Sequence, residues 1–174
     1  KTLSYPELRN FIKVELCRII LENFEAPDAI AGVATGAIAQ GALVADSLGL
    51  PYVYVRSTPK DHGLENLIEG NLKPGQKVVV IEDLISTGGS SLKAVEAIRA
   101  AGCEVVGMAA IFTYGFPVAV KRFTEAGVKL ITLSNYNSML EAALETDYIK
   151  PDDLETLKQW RKDPASWSPA PKAD

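Results

Sequence analysis

"VVVIEDLISTGGSSLKAV", at 78–95, runs four aliphatic residues into an acidic pair, then a Ser/Thr/Gly cluster, then a helix-like pattern. A continuous β-branched run reads as a strand buried on both faces, the habit of parallel sheets covered by helices. Glu82 and Asp83 then fall at the carboxyl end of that strand, where the sheet meets solvent. Ser86, Thr87, Gly88, Gly89 and Ser90 make a turn into a helix expected to start near Ser91. Exposed amides at a helix N-terminus attract anions, and glycines let the backbone pass close to one.

The alternation of strand and helix continues in both directions. Residues 6–24 place Leu8, Phe11, Ile12, Leu16, Ile19 and Ile20 at helical spacing. Strands are expected at 29–34, 51–56, 76–83, 103–114 and 129–134. Helices are expected at 36–49, 90–102, 117–127, 138–146 and 151–162, with Gly49, Gly102 and Gly127 as stops. This predicts a doubly wound α/β domain with a mainly parallel sheet over 1–162, then a Pro-rich tail at 163–174. Ligands of such sheets sit at the carboxyl ends of the strands.

At 174 residues and 47% hydrophobic, the chain is long enough for one domain with a sizeable core. A net charge of −4 argues against a nucleic-acid surface. No apolar run approaches the roughly 18 residues of a membrane span, and no signal peptide is visible, so the expected compartment is the cytoplasm. Cys17 and Cys103 lie far apart in apolar patterns and read as buried, reduced thiols rather than a metal cluster. The chain opens "KTLSYP" without Met and enters a helix at once, so its N-terminus is expected to be cut.

One connection breaks the rhythm. "RSTPKDHGLENLIEGNLK", at 56–73, exceeds the about 12–15 residues beyond which loops tend to be functional. It holds the chain's single His and the cations Arg56, Lys60 and Lys73, and a β-hairpin with a mobile tip would suit it.

The turn at 86–90 can cradle one phosphate. The acids just upstream suit hydroxyls, such as a ribose diol, because carboxylates accept what hydroxyls donate. Together they describe a ribose 5-phosphate site. A Ser/Gly turn alone is often only a helix cap, and what lifts this one is the acidic pair placed directly after four aliphatics. No Lys follows the glycines, which excludes a Walker-type loop, and GxGxxG is absent here. A valine at 88 is expected to crowd the phosphate while leaving the fold intact.

"VVVIEDLISTGGSS" resembles the phosphoribosyl-pyrophosphate (PRPP) signature of the type I phosphoribosyltransferases. "YVRSTPKDHGLENLIEG" resembles the catalytic loop of the orotate branch of that family, R-x-x-x-K-x-H-G followed by IEG. With "GVATGAIAQGALVADSLGLP", the likeness covers about residues 30–115 in motifs and the rest by architecture. The resemblance implies transfer of the phosphoribosyl group of PRPP to orotate, giving orotidine 5′-monophosphate and pyrophosphate on the route to UMP. It implies PRPP contacts from Arg56, Lys60, His62, Glu82, Asp83, Leu84, Ile85, Ser86, Thr87, Gly88, Gly89 and Ser90. Lys60, His62 and Asp83 would act in catalysis, the first two on a lid closing over the neighbouring subunit's site in a homodimer. Ser86 and Tyr114 would meet orotate. Mg²⁺ would be held by PRPP and water, with no direct protein ligand.

The departures from the family pattern are local. Glu82 stands where Asp is frequent, and Ser57 where many members carry a second Lys. Thr35 and Gly36 stand where some place a pyrophosphate-binding Lys, and Tyr114 near an orotate-binding Arg. Tyr114 reads equally well as a structural aromatic, and Trp160 and Trp167 as packing for the C-terminal helix or a subunit contact. The family also opens with a segment that helps bind orotate, expected to be largely absent from this chain. Two alternatives accompany the reading: a phosphoribosyltransferase for another base, and a PRPP-binding regulator without turnover.

Overall fold

The computed structural model describes residues 1–56, 67–165 and 167. Its elements run α1 (Pro6–Asn23), β1 (Ala29–Val33), α2 (Ile38–Leu48), β2 (Tyr52–Val55), β3 (Ile68–Glu69), β4 (Lys77–Ile85), α3 (Gly89–Ala100), β5 (Glu104–Thr113), α4 (Pro117–Glu125), β6 (Leu130–Asn135), α5 (Tyr136–Glu145) and α6 (Asp153–Lys162). The sheet has six strands in the order β3-β2-β1-β4-β5-β6. Every pairing is parallel except β2 with β3, which is antiparallel. That exception is the base of the hairpin expected at 56–73; its tip lies outside the described residues.

Side chains along a strand point alternately to opposite faces, and β4 divides its own between two cores. Val78 and Val80 enter a cluster with Ala94, Val95 and Ile98 of α3 and Ala119 and Phe123 of α4. Val79 and Ile81 enter another, with Ile12, Leu16, Ile19 and Ile20 of α1 and Ala37, Val44 and Ala45 around α2. Burying one such aliphatic side chain contributes about 1.5–3 kcal/mol. This is why 78–81, buried on both faces, are aliphatic without a break. Where β4 meets β5 the register slips, Val78 pairing with Val105 and Val79 with Gly107. The extra residue, Val106, packs on the α1 side, and the alternation of β5 resumes beyond it.

The amphipathic reading of α1 needs one correction. Ile12, Leu16, Ile19 and Ile20 form the buried stripe, but Leu8 and Phe11 are exposed. At 100° per residue Phe11 turns away from this face, while Leu8 stays on its edge but lies in the first turn of the helix, where it is exposed. Cys103 is buried and its thiol donates to Lys73 O at 3.3 Å, and Cys17 is half-buried. Both are free thiols. Among the described residues, no helix is long and apolar enough to cross a membrane.

Candidate active site

The site begins where β1 stops. β1 pairs with β4 from Ala29 opposite Val78 to Gly32 opposite Ile81, and the chain then turns away through 34–37 into α2. β5 is longer and accompanies β4 to Ile85 opposite Thr113. Beyond Ile81, β4 therefore has a neighbour on one side only. The open side is a cleft of about 250 Å³ lined by 33–36, 82–84 and 86–91. It lies where the strand order reverses direction, the ordinary ligand position of a doubly wound sheet.

The strand expected at 76–83 thus runs on to Ile85. Glu82 still belongs to the sheet and is 5% exposed, whereas Asp83 is exposed. Glu82 Oε2 accepts from the Ser91 hydroxyl at 2.8 Å, and Oε1 accepts from the Asp83 N–H at 3.0 Å. Burial, with a smaller push from neighbouring Asp83, drives the Glu82 carboxyl up to about 8, against a downward pull from Ser91. The folded chain therefore holds a proton on Glu82 that the unfolded chain releases near 4.5. Stability from this group is greatest below that value and falls as pH rises toward about 8, at up to about 1.4 kcal/mol per pH unit. Urea unfolding across that window should show Glu82→Gln gaining on the parent as pH rises. A constant difference between the two would refute the shift.

Asp83 owes its place to a glycine. Its carboxylate lies against Gly36 so closely that a Cβ there would overlap it. The turn carrying Gly36 is held in turn by Tyr52, whose hydroxyl donates to Ile38 O at 2.7 Å. Burial raises the Tyr52 pKa to about 12, so the donor keeps its proton.

The turn after β4 has the expected form, with α3 beginning at Gly89 rather than near Ser91. Gly88 is the N-cap with φ +77°, and no side chain caps the helix. The first helical bond near the turn runs from Leu92 N–H to Gly88 O at 3.0 Å, so the N–H groups at 89–91 precede it and point out of the helix start. Ser86, Thr87 and Ser90 are exposed around them. A Cβ at 88 would stand 2.8 Å from Phe123 Cε2 and require a positive φ. The expectation for valine is corrected: it would disturb the α3–α4 packing as well as the phosphate approach.

The structure brings together Glu82, Asp83, Leu84, Ser86, Thr87, Gly88, Gly89 and Ser90 on the cleft. Ile85 is fully buried in the core on the α3 side, so its side chain supports the turn from below. Arg56 follows β2, pairs with Glu69 Oε1 at 3.4 Å, and is not part of this lining. Lys60 and His62 lie outside the described residues. Tyr114 does not line the cleft either. Its ring stacks on Phe116 at 5.3 Å and meets Phe112, Tyr136 and Trp160. Trp160 thereby docks α6, as expected of a packing residue. Among the described residues no group of three or more His, Cys, Asp or Glu could cage a metal ion.

Two supporting residues escaped the sequence reading. Ser91, expected only to mark the start of the helix, is buried and bonded to Glu82. Arg122 of α4 donates to Thr87 O at 3.0 Å and so holds the turn from outside. It is 35 positions away in sequence, and no local pattern announces it. A larger cavity of about 620 Å³ lies between α5 and α6, lined by Leu140, Leu144, Leu154 and Lys158 among others. It contains no strand end and no glycine turn, so it lacks the features that make the smaller cleft reactive.

Comparison with known proteins bears on this geometry. A family model described as "Phosphoribosyl transferase domain" matches residues 12–144. The orotate phosphoribosyltransferase of Phocaeicola vulgatus is 72% identical over 167 residues, covering 96% of this chain and 79% of that protein. That of Porphyromonas gingivalis is 66% identical, covering 96% and 80%. Among solved structures, orotate phosphoribosyltransferase from Aeropyrum pernix superposes with TM-score 0.71 at 26% identity, covering 81% of this chain and 78% of its own. Adenine phosphoribosyltransferase from Leishmania tarentolae superposes with TM-score 0.64, also at 26% identity, covering 78% and 74%. The fold is therefore shared by enzymes named for different bases, and the high sequence identities carry the distinction between them.

Proposed function

The chain belongs to the phosphoribosyltransferase family, in its orotate branch, and from that premise we propose how its residues divide the work. The reaction transfers the 5-phosphoribosyl group of PRPP to orotate, giving orotidine 5′-monophosphate and pyrophosphate. The observation that supports the residue assignment is the single cleft that joins an acidic strand end to an uncapped helix start. The 5′-phosphate takes the N–H groups at the start of α3 and the hydroxyls of Ser86, Thr87 and Ser90. Glu82 and Asp83 accept from the ribose hydroxyls. The negative charge of Asp83, joined by that of Glu82 where it is ionised, also steadies the positive charge that grows on the ribose as the C1–O bond to pyrophosphate breaks. Arg56, Lys60 and His62 meet the charge developing on the departing pyrophosphate, and the N1 of orotate bonds to C1 as it gives up its proton to solvent.

Orotate is assigned to Ser86, because Tyr114 is committed to the aromatic cluster under α6. Mg²⁺ suits the site as an ion carried by the substrate, since the described residues offer no cage for it. Bound to PRPP and water, it would neutralise part of the pyrophosphate charge. We place the reaction in the cytoplasm, in pyrimidine nucleotide synthesis, and in a homodimer whose subunits share their sites. The test is a panel of bases with PRPP, read as pyrophosphate release. Orotate should exceed adenine, hypoxanthine and uracil by at least about a hundredfold in kcat/KM, the range open to a site built around a substrate's polar groups. Turnover with another base equal to that with orotate would overturn the specificity, and PRPP binding without any turnover would favour a regulator.

A further inference from the structure

We infer that Ser91 is a positioning residue of the ribose subsite, acting by fixing the Glu82 carboxyl group toward the bound sugar. The inference rests on the assignment of Glu82 to ribose made above. Ser91 lies in the first turn of α3, is 3% exposed, and donates to Glu82 Oε2 at 2.8 Å. The opposite oxygen is held by the Asp83 N–H at 3.0 Å. A glutamate has one more rotatable bond than an aspartate, so a single restraint would leave its carboxyl plane free to turn. Two restraints, one on each oxygen, define that plane. Each carboxylate oxygen can accept more than one hydrogen bond, so capacity remains on the side where Glu82 lines the cleft.

The contact also joins the two halves of the site. Glu82 ends the acid-bearing strand, and Ser91 belongs to the helix whose start takes the phosphate. One hydrogen bond thus ties the diol acceptor directly to the helix that carries the phosphate cup. Ser91 has a second effect through charge. Its donated bond favours the ionised form of Glu82, against burial and against the charge of Asp83. Asp83 is the titratable neighbour on β4 itself. Opposite Glu82 on β5 stands Ala110, the turn at 33–36 brings Val, Ala, Thr and Gly, and the first turn of α3 brings only Gly, Ser and Leu. Ser91, with the Asp83 N–H as a weaker second donor, therefore favours the charged acceptor a ribose diol needs.

The experiment measures kcat and PRPP KM between about pH 6 and 9 for the parent, Ser91→Ala, Glu82→Gln and the double variant. Thermal unfolding accompanies each to establish that the chain is folded. Ser91→Ala should raise the PRPP KM about tenfold near neutral pH, the loss expected for one hydrogen bond to a charged group. The deficit should shrink as alkaline pH ionises Glu82 without help. On the Glu82→Gln background the same change should add little, because the residue through which Ser91 acts is already altered. A deficit that is independent of pH, or equal on both backgrounds, would overturn the inference. If Glu82→Gln raises KM and Ser91→Ala does not, the inference fails alone. If Glu82→Gln leaves PRPP binding unchanged, the assignment of Glu82 to ribose fails and takes the inference with it.

Discussion

Mixing a Lys60→Ala protein with an Asp83→Ala protein is expected to restore activity that neither parent has. Lys60 is assigned to the pyrophosphate, whose negative charge grows only as the C1–O bond breaks. A cation there acts on the transition state more than on bound substrate. Its removal should lower kcat about 10²–10³-fold, the usual cost of losing one preorganised charge-stabilising group. Asp83→Ala removes the proposed ribose acceptor, a residue that lines the cleft itself. In a homodimer with shared sites, a mixed dimer would combine an intact cleft from the Lys60→Ala subunit with an intact loop from the other. Each such dimer owns one complete site, so activity per mixed dimer should approach half of normal. Subunit exchange can be verified by mass with one isotopically labelled parent. No recovery after verified exchange would place the loop over its own subunit's cleft, or remove Lys60 from catalysis.

The second large effect is expected from one methyl group. Gly36→Ala places a Cβ where the Asp83 carboxylate now lies. Asp83 is exposed and its side chain is short, so it can rotate outward without disturbing either core. The melting temperature should therefore move by only about 2–4 °C, the equivalent of roughly 1 kcal/mol in a chain of this size. PRPP affinity should fall by tenfold or more, since the displaced carboxylate no longer meets the ribose. Asp83→Asn is the matched control, keeping shape and losing charge at about 1–3 kcal/mol. If the charge steadies a cationic ribose, this variant should lose more in kcat than in PRPP binding. An unchanged PRPP KM in Gly36→Ala would remove Asp83 from the ribose subsite.

Both experiments concern residues legible in the sequence, but for different reasons. The run of aliphatics before Glu82 required a strand buried on both faces, because no polar surface was left to point at water. Alternation with helices then required a mainly parallel sheet, and the glycine-hydroxyl turn required a helix start able to take an anion. These are local properties, written in consecutive residues, and the folded chain keeps them with small shifts of boundary. Lys60 and His62 were legible only as a motif, through a family likeness.

What local sequence could not express is distance between segments. Nothing in "VVVIEDLIST" tells that pairing with β1 stops at Gly32 opposite Ile81 while β5 continues to Thr113, yet this difference is what opens the cleft. Glu82 is buried on Ser91 of α3 and Asp83 is exposed beside Gly36, which separates two acids that look equivalent side by side. The closeness of Gly36 to Asp83 spans 47 positions, and Arg122 reaches Thr87 across 35. Tyr114 was open to two readings until α6 folded back and enclosed its ring with Trp160. Local spacing governs backbone conformation and the type of chemistry on offer. Burial, proton affinity and the pairing of distant side chains depend on which surfaces exclude water together, and only the packed chain decides that.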